Sequence, residues 1–294
     1  MKAEDFLDEE FLRKLERVRL LAARAIKGPR KGEHRSWRSG TSLEFLDYRK
    51  YQPGDDVRYV DWNVYGRLDK LFLKLFRSEE DLSVHFLLDR SGSMSFGSPS
   101  KIFYSQKMAA ALGYIALSNL DNVDFVSFSD SLKESSNRHK GKRAYPALLG
   151  FLKQLKPEGE TGVSPSLESF AVTCSRPGLA VILSDFLDSN GLEKGLEALR
   201  QRKFKTIFIQ VLDHEELSPS LDGFLLLKEM ETSERKRITL TAELRYLYQK
   251  KMEEFLAGIR ELCLIRGVEY YLLDTRIPFE DFLFGELLAG KLFR

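Results

Sequence analysis

Residues 89–93 of this chain read Asp89-Arg90-Ser91-Gly92-Ser93, and they follow directly on the apolar run Val84-His85-Phe86-Leu87-Leu88. One carboxylate and two hydroxyls at positions i, i+2 and i+4 are all oxygen donors. Such a set suits a hard divalent cation: Mg²⁺, or else Mn²⁺ or Ca²⁺. With few anionic protein ligands the ion would keep open or water-filled positions and a net positive charge. A carboxylate from a partner could then complete its shell. Alone, the triple has little specificity, because Asp and Ser are common in polar turns.

Other chemistry has less support. The histidines His34, His85, His139 and His214 lack metal-ligand spacing. His85 falls inside the apolar run and reads as a satisfied core residue. There is no Walker-type phosphate loop and no Gly-x-Ser-x-Gly nucleophile elbow. Cys174 and Cys263 lie far apart and read as reduced and structural.

The surrounding elements must bring such oxygens to one place. The run 83–88 is short and bounded by polar residues, so it reads as a buried strand with the Asp89 loop at its C-terminal end. That is where open α/β sheets bind ligands. Strands are expected at 123–128, 179–183, 206–212 and 268–272, with a short edge strand within 131–138 and a hairpin within 223–240. Between them the spacing predicts helices at 99–119 (Ser98 as cap, Pro99 in the first turn), 144–155, from Ser164-Pro165, 192–202, 241–266 and 278–288. This alternation argues for an α/β fold, a mostly parallel sheet with helices on both faces.

Upstream of residue 82 the rhythm differs. Phe6, Leu7, Phe11, Leu12, Leu15, Val18 and Leu21 recur at helical spacing before Gly28-Pro29. Residues 54–80 alternate as strands of a hairpin or small sheet would: Val57 to Trp62, then Leu71 to Phe76. The expected organisation is an N-terminal helix over 1–26, a β-rich accessory module over 27–81 and the α/β domain over 82–294.

The 294 residues, 43% of them hydrophobic, suffice for one large core and an accessory module. A net charge of +2 argues against a nucleic-acid or anionic-membrane partner, and the locally basic stretch 27–50 reads as solvated surface. No apolar run reaches the length of a membrane span, and Met1-Lys2-Ala3-Glu4-Asp5 lacks a signal-peptide core, so the expected location is the cytoplasm.

Asp89-x-Ser91-x-Ser93 after one apolar strand, a Thr in a loop between helices, and Asp185 after another apolar strand resemble the metal-ion-dependent adhesion site (MIDAS) of von Willebrand factor A domains. A longer likeness is Phe45-Leu46-Asp47-Tyr48-Arg49-Lys50-Tyr51-Gln52-Pro53-Gly54-Asp55-Asp56-Val57-Arg58-Tyr59-Val60-Asp61-Trp62, with Leu183-Ser184-Asp185-Phe186-Leu187-Asp188 and Leu273-Asp274-Thr275. It resembles the bacterial family called domain of unknown function 58, whose members carry a von Willebrand A-like (Rossmann-type) domain. They are typically encoded beside MoxR-type AAA+ ATPases.

The resemblance implies that Asp89, Ser91, Ser93 and Thr161 ligate or flank a Mg²⁺-type ion, and that Asp185 holds it directly or through water. Ser164 and Ser166 are alternative loop donors to Thr161, and the Arg90 side chain must turn away from the ion. The expected function is a noncatalytic protein-binding module that captures an acidic group of a partner, with a MoxR-type AAA+ ATPase acting beside it in chaperone-like or assembly work. The alternatives are a metal-dependent hydrolase using Ser91 or a metal-bound water, and nucleic-acid binding through residues 27–50.

Overall fold

The computed structural model describes residues 43–78, 82–220, 223–228 and 235–283, with Arg13 and Gly285. The helix expected over 1–26, the part of the final helix beyond 283 and most of the basic stretch 27–50 lie outside the described residues. The described residues fall into two compact units, one within Pro29–Asp81 and the other comprising Arg13 and the residues from Leu82 onward.

In the first unit, β1 (Leu43–Lys50) pairs antiparallel with β2 (Phe72–Ser78), and a helix α1 (Trp62–Leu68) lies between them in sequence. The strand expected around 57–62 is instead a short 3₁₀ turn, Val57–Tyr59, and the start of α1. The reason lies in the aspartates, which cap helical turns through short side chains. Asp56 accepts from Arg58 N (3.0 Å), and Asp61 accepts from Asn63 N (2.9 Å) and Val64 N (3.3 Å). Asp61 also accepts from Tyr48 Oη (2.8 Å) and pairs with Lys74 Nζ (3.1 Å), which ties α1 to both strands. Pro53-Gly54-Asp55 forms the expected turn: Gly54 has φ +103, and the Asp55 carboxylate accepts from Gln52 N (2.8 Å) and Arg49 Nη2 (2.7 Å).

The second unit runs β3 (Ser83–Asp89), α2 (Lys101–Ser118), β4 (Asn122–Phe128), β5 (Leu132–Ser135), β6 (His139–Lys140), α3 (Tyr145–Gln154), α4 (Val163–Thr173) and β7 (Leu179–Ser184). It continues with α5 (Leu192–Gln201), β8 (Lys205–Leu212), α6 (His214–Leu217), β9 (Gly223–Lys228), β10 (Arg235–Leu240), α7 (Ala242–Arg266), β11 (Glu269–Asp274) and α8 (Phe279–Phe282). Helix α2 begins two residues after the expected start. Lys101 N closes a turn on Phe96 O (2.9 Å), so residues 97–100 are spent on that turn.

The main sheet has the order β11-β8-β7-β3-β4-β5, with β6 also on β4; β11, β8, β7, β3 and β4 are parallel, and β5 and β6 antiparallel. From β3 the chain steps to β4 on one side, then crosses back to β7 on the other. The order therefore reverses between β3 and β7, and a crevice forms at their C-terminal ends. The hairpin expected within 223–240 is present as β9 and β10.

Strand β3 shows how the core is built. Val84, Phe86 and Leu88 face a layer made by α2, α3 and α8, and Leu87 faces a layer made by α4, α5 and α7. Both faces are covered, so β3 and β7 are buried along their whole length. Among the described residues no helix is long and apolar enough to cross a membrane.

Packing at the N-terminal edge of the sheet is tight. A Cβ on Gly178, just before β7, would meet the carbonyl oxygen of Ser83, and that oxygen is backbone and cannot yield. Gly178→Ala is expected to lower stability by about 1–3 kcal/mol. The measurement is the denaturant midpoint at unchanged slope; an unchanged midpoint would refute the close approach.

Candidate metal centre

The crevice between β3 and β7 collects the oxygens singled out by the sequence. Asp89 ends β3 and Asp185 follows β7, and both are fully buried. Asp89 Oδ1 accepts from Ser91 N (2.8 Å), which folds the loop back over the strand end. Asp89 Oδ2 accepts from Ser184 Oγ (2.6 Å) across the strand pair. Ser91 Oγ lies 3.1 Å from Ser93 Oγ, and Ser93 Oγ donates to Asp185 Oδ2 (2.7 Å). Asp89, Ser91, Ser93 and Asp185 thus form one connected set.

Thr161 is half-buried in the loop before α4. That loop is fastened to the site by Gly92 N donating to Gly159 O (2.8 Å), and to the end of β4 by Gly162 N donating to Ser129 O (2.8 Å). Ser164 is turned elsewhere: its Oγ donates to Gly191 O (2.6 Å) and accepts from Gly195 N (3.2 Å). Ser166 Oγ is buried with no hydrogen-bond partner among the described residues. The Arg90 side chain turns away, as a cation site requires. It pairs with Glu134 (2.9 Å) and Glu158 (2.8 Å) and donates to Lys156 O (3.1 Å), beside an open cleft of about 360 Å³.

Three further groups complete the site and were not among the residues expected. The Lys101 ammonium, fully buried at the start of α2, lies 2.7 Å from Asp185 Oδ2 and 2.6 Å from Glu216 Oε1. Glu216 is held in turn by a capping box on α6, where its Oε2 accepts from Asp213 N (2.8 Å). Gln210 Nε2 donates to Asp185 O (2.7 Å) from within β8. The sequence did carry a faint sign of Lys101: a cation in the first turn of a largely apolar helix opposes the helix dipole.

Backbone strain sits at the same place. Phe186 has φ +53, the left-handed region that costs a bulky side chain about 1 kcal/mol or more. It is held there by Phe186 N donating to Ser184 Oγ (3.0 Å) and by stacking on Phe208 at 4.4 Å.

Electrostatically the site is short of positive charge. Burial and then the Asp185 charge push the Asp89 carboxyl up to about 7, against the hydrogen bonds from Ser184 and Ser91. Burial opposes the charge on Lys101, but Asp185 and Glu216 reverse this and hold its pKa above the ordinary value. Asp185 and Glu216 share the Lys101 ammonium and Asp89 faces the Asp185 charge, so with all three carboxylates ionised the cluster has two negative charges in excess. A divalent cation would neutralise them, and an all-oxygen donor set fits a hard one. Among the described residues no group of three or more His, Cys, Asp or Glu gathers as a metal cluster, so hydroxyl oxygens would have to supply much of the coordination.

The comparisons with known proteins span both units. A family model described as "Protein of unknown function DUF58" matches residues 47–255. The uncharacterised protein Rv1480 of Mycobacterium tuberculosis is 24% identical over 278 residues, 92% of this chain and 86% of that protein. The uncharacterised protein Mb1516 of Mycobacterium bovis matches to the same extent, 24% over 278 residues. Among solved structures, the conserved hypothetical protein BatB from Bacteroides thetaiotaomicron is 13% identical, with 66% of this chain and 90% of that one covered and a TM-score of 0.43. An aerotolerance-related membrane protein from Bacteroides fragilis is also 13% identical, with 66% and 92% covered and a TM-score of 0.43. The family match takes in the Tyr48–Asp61 network, the Asp89 loop and Asp185 alike, and the chain belongs to the DUF58 family.

Proposed function

We propose that this chain is a noncatalytic protein-binding module of the von Willebrand factor A type, working through a metal-ion-dependent adhesion site. Asp89, Ser91 and Ser93 would hold the ion, Thr161 would stand beside them, and Asp185 would act directly or through water. The observation that carries this reading is the bonded set Asp89–Ser91–Ser93–Asp185 at the point where the strand order reverses.

The residues divide the work. Asp185 has its Oδ2 engaged by Ser93 and Lys101 and its Oδ1 by Leu187 N (3.1 Å), so it orients Ser93 and would hold the ion directly or through water. Ser184 and the Ser91 amide fix the Asp89 carboxylate. Ser93 is half-buried and marks the side open to solvent. When bound, the ion would supply a Lewis-acidic positive centre with an unfilled position, to which a partner's carboxylate attaches. Ser91 Oγ meets Ser93 Oγ rather than an imidazole, which gives the hydrolase alternative no positioned base.

The partner in this reading is a MoxR-type AAA+ ATPase, engaged in chaperone-like or assembly work. The test is calorimetric titration with Mg²⁺, followed by capture of the purified ATPase on the immobilised full chain in Mg²⁺ or in chelator. Saturable Mg²⁺ binding and capture lost in chelator are expected. Absence of Mg²⁺ binding would remove the metal, and capture indifferent to chelator would remove the metal bridge.

A further inference from the structure

A second cluster of reactive groups lies on the other end of β3. His85 and Asp124 are register partners on the adjacent parallel strands β3 and β4. His85 is four residues before Asp89, which places it about 13 Å back along the strand. Its Nδ1 lies 2.6 Å from Asp124 Oδ1, and its Nε2 lies 3.1 Å from Arg176 O and 3.8 Å from Cys174 Sγ. The ring is fully buried, edge-on to Phe170 at 5.4 Å and Phe204 at 5.7 Å, so it cannot swing away.

Cys174 is the C-cap of α4 and is half-exposed, and Ser175, Arg176 and Pro177 after it are exposed. Its thiol reaches Arg176 O at 3.4 Å. The Arg202 guanidinium at the end of α5 donates to Cys174 O (3.0 Å), adding positive charge on that side. A sulfur backed by an imidazole that is itself backed by a carboxylate is the arrangement that activates a thiol. Burial opposes a charge on His85, yet Asp124 and Cys174 hold its pKa up to about 9. Burial would raise the Cys174 thiol, but His85 reverses this and keeps it below its ordinary value. The structural reading given to both residues from sequence leaves this convergence unexplained.

We propose that Cys174 is a reactive thiol that exchanges with low-molecular-weight disulfides, with His85 as its counter-ion and Asp124 orienting the ring. The Cys174 thiolate attacks one sulfur of the disulfide. A new S–S bond to Cys174 forms as the original S–S bond breaks, and the departing half leaves as a thiolate that takes a proton from solvent. Cys174 is oxidised to the mixed disulfide and one thiol is released. The groups facing the sulfur are His85 from β3, with Asp124 of β4 behind it, and Arg202 after α5. Cys263 is an internal control, buried on α7 with its thiol pushed up to about 12 by that burial.

The test incubates the full chain with oxidised glutathione across a pH series and follows the Cys174 and Cys263 peptides by mass spectrometry. In the native protein, the Cys174 rate is expected to reach half its maximum at a lower pH than in the same protein unfolded in urea. Cys263 should remain unmodified in the native protein. Asp124→Asn should move the native half-maximum upward and slow exchange at about pH 6 roughly tenfold. Coincident native and unfolded profiles would overturn the proposal, as would a folded Asp124→Asn protein with the parent profile. Should that variant not fold, the native-against-unfolded comparison decides by itself.

Discussion

Asp89→Ala is expected to abolish measurable Mg²⁺ binding, a loss of about 100-fold or more in affinity, and with it cation-dependent capture of the partner. The argument is one of position. Asp89 is the carboxylate on which the site closes: one oxygen fixes the Ser91 amide and the other the Ser184 hydroxyl. Removing it takes away the strongest anionic donor and frees the loop that carries Ser91 and Ser93. It also leaves two buried donors unpaired, at about 1–3 kcal/mol each, partly offset by relief of repulsion from Asp185. Asp89→Asn separates these effects, since the amide oxygen still accepts a hydrogen bond but carries no charge. Calorimetry should show binding lost in both variants, and denaturant unfolding should show Asp89→Asn as the more stable. Mg²⁺ binding at parental strength in either folded variant would defeat the assignment of Asp89.

Much of the sheet was legible because buried parallel strands write themselves as unbroken apolar runs between polar residues. Residues 83–88, 123–128, 179–183 and 206–212 each lie within a strand that extends them by a residue. The cap at Thr241 was equally plain, and its Oγ1 accepts from Leu244 N (3.2 Å) as a capping residue should. Alternation misled at 57–62. Val57, Tyr59 and Asp61 have period two, but Asp56 and Asp61 offer side-chain oxygens to backbone amides, and local capping won over pairing. At the site, the loop after β3 and the Ser184-Asp185 pair were readable because each ends an apolar run. Glu216 was not, and Lys101 showed only as a cation at the unfavourable end of its helix, with no sign of its partners. A single charge in a sequence shows its partner only when the fold brings together residues more than eighty positions apart, here Lys101 and Asp185.

That buried ammonium supports the other large effect. Lys101→Met is expected to destabilise the protein by about 3–5 kcal/mol, because Asp185 and Glu216 would be left as buried carboxylates without their counter-ion. The side chains of Lys101 and Asp185 are fully buried and that of Glu216 is 16% exposed, so water can do little to replace the charge. Glu216 is the group through which the loss can be moderated. Burial already raises its pKa against the pull of Lys101, so Lys101→Met with Glu216→Gln should recover part of the stability lost in the single variant. The same logic ties stability to the metal. If Asp89, Ser91 and Ser93 hold a divalent cation beside Asp185, that ion and the ammonium answer one field of negative charge. Mg²⁺ should then raise the denaturant midpoint of Lys101→Met by more than it raises that of the parent, since a ligand stabilises in proportion to how tightly the folded state takes it. An equal Mg²⁺ effect on both proteins would mean that lysine and metal act independently, and the proposed link between ion and buried charge cluster would fall.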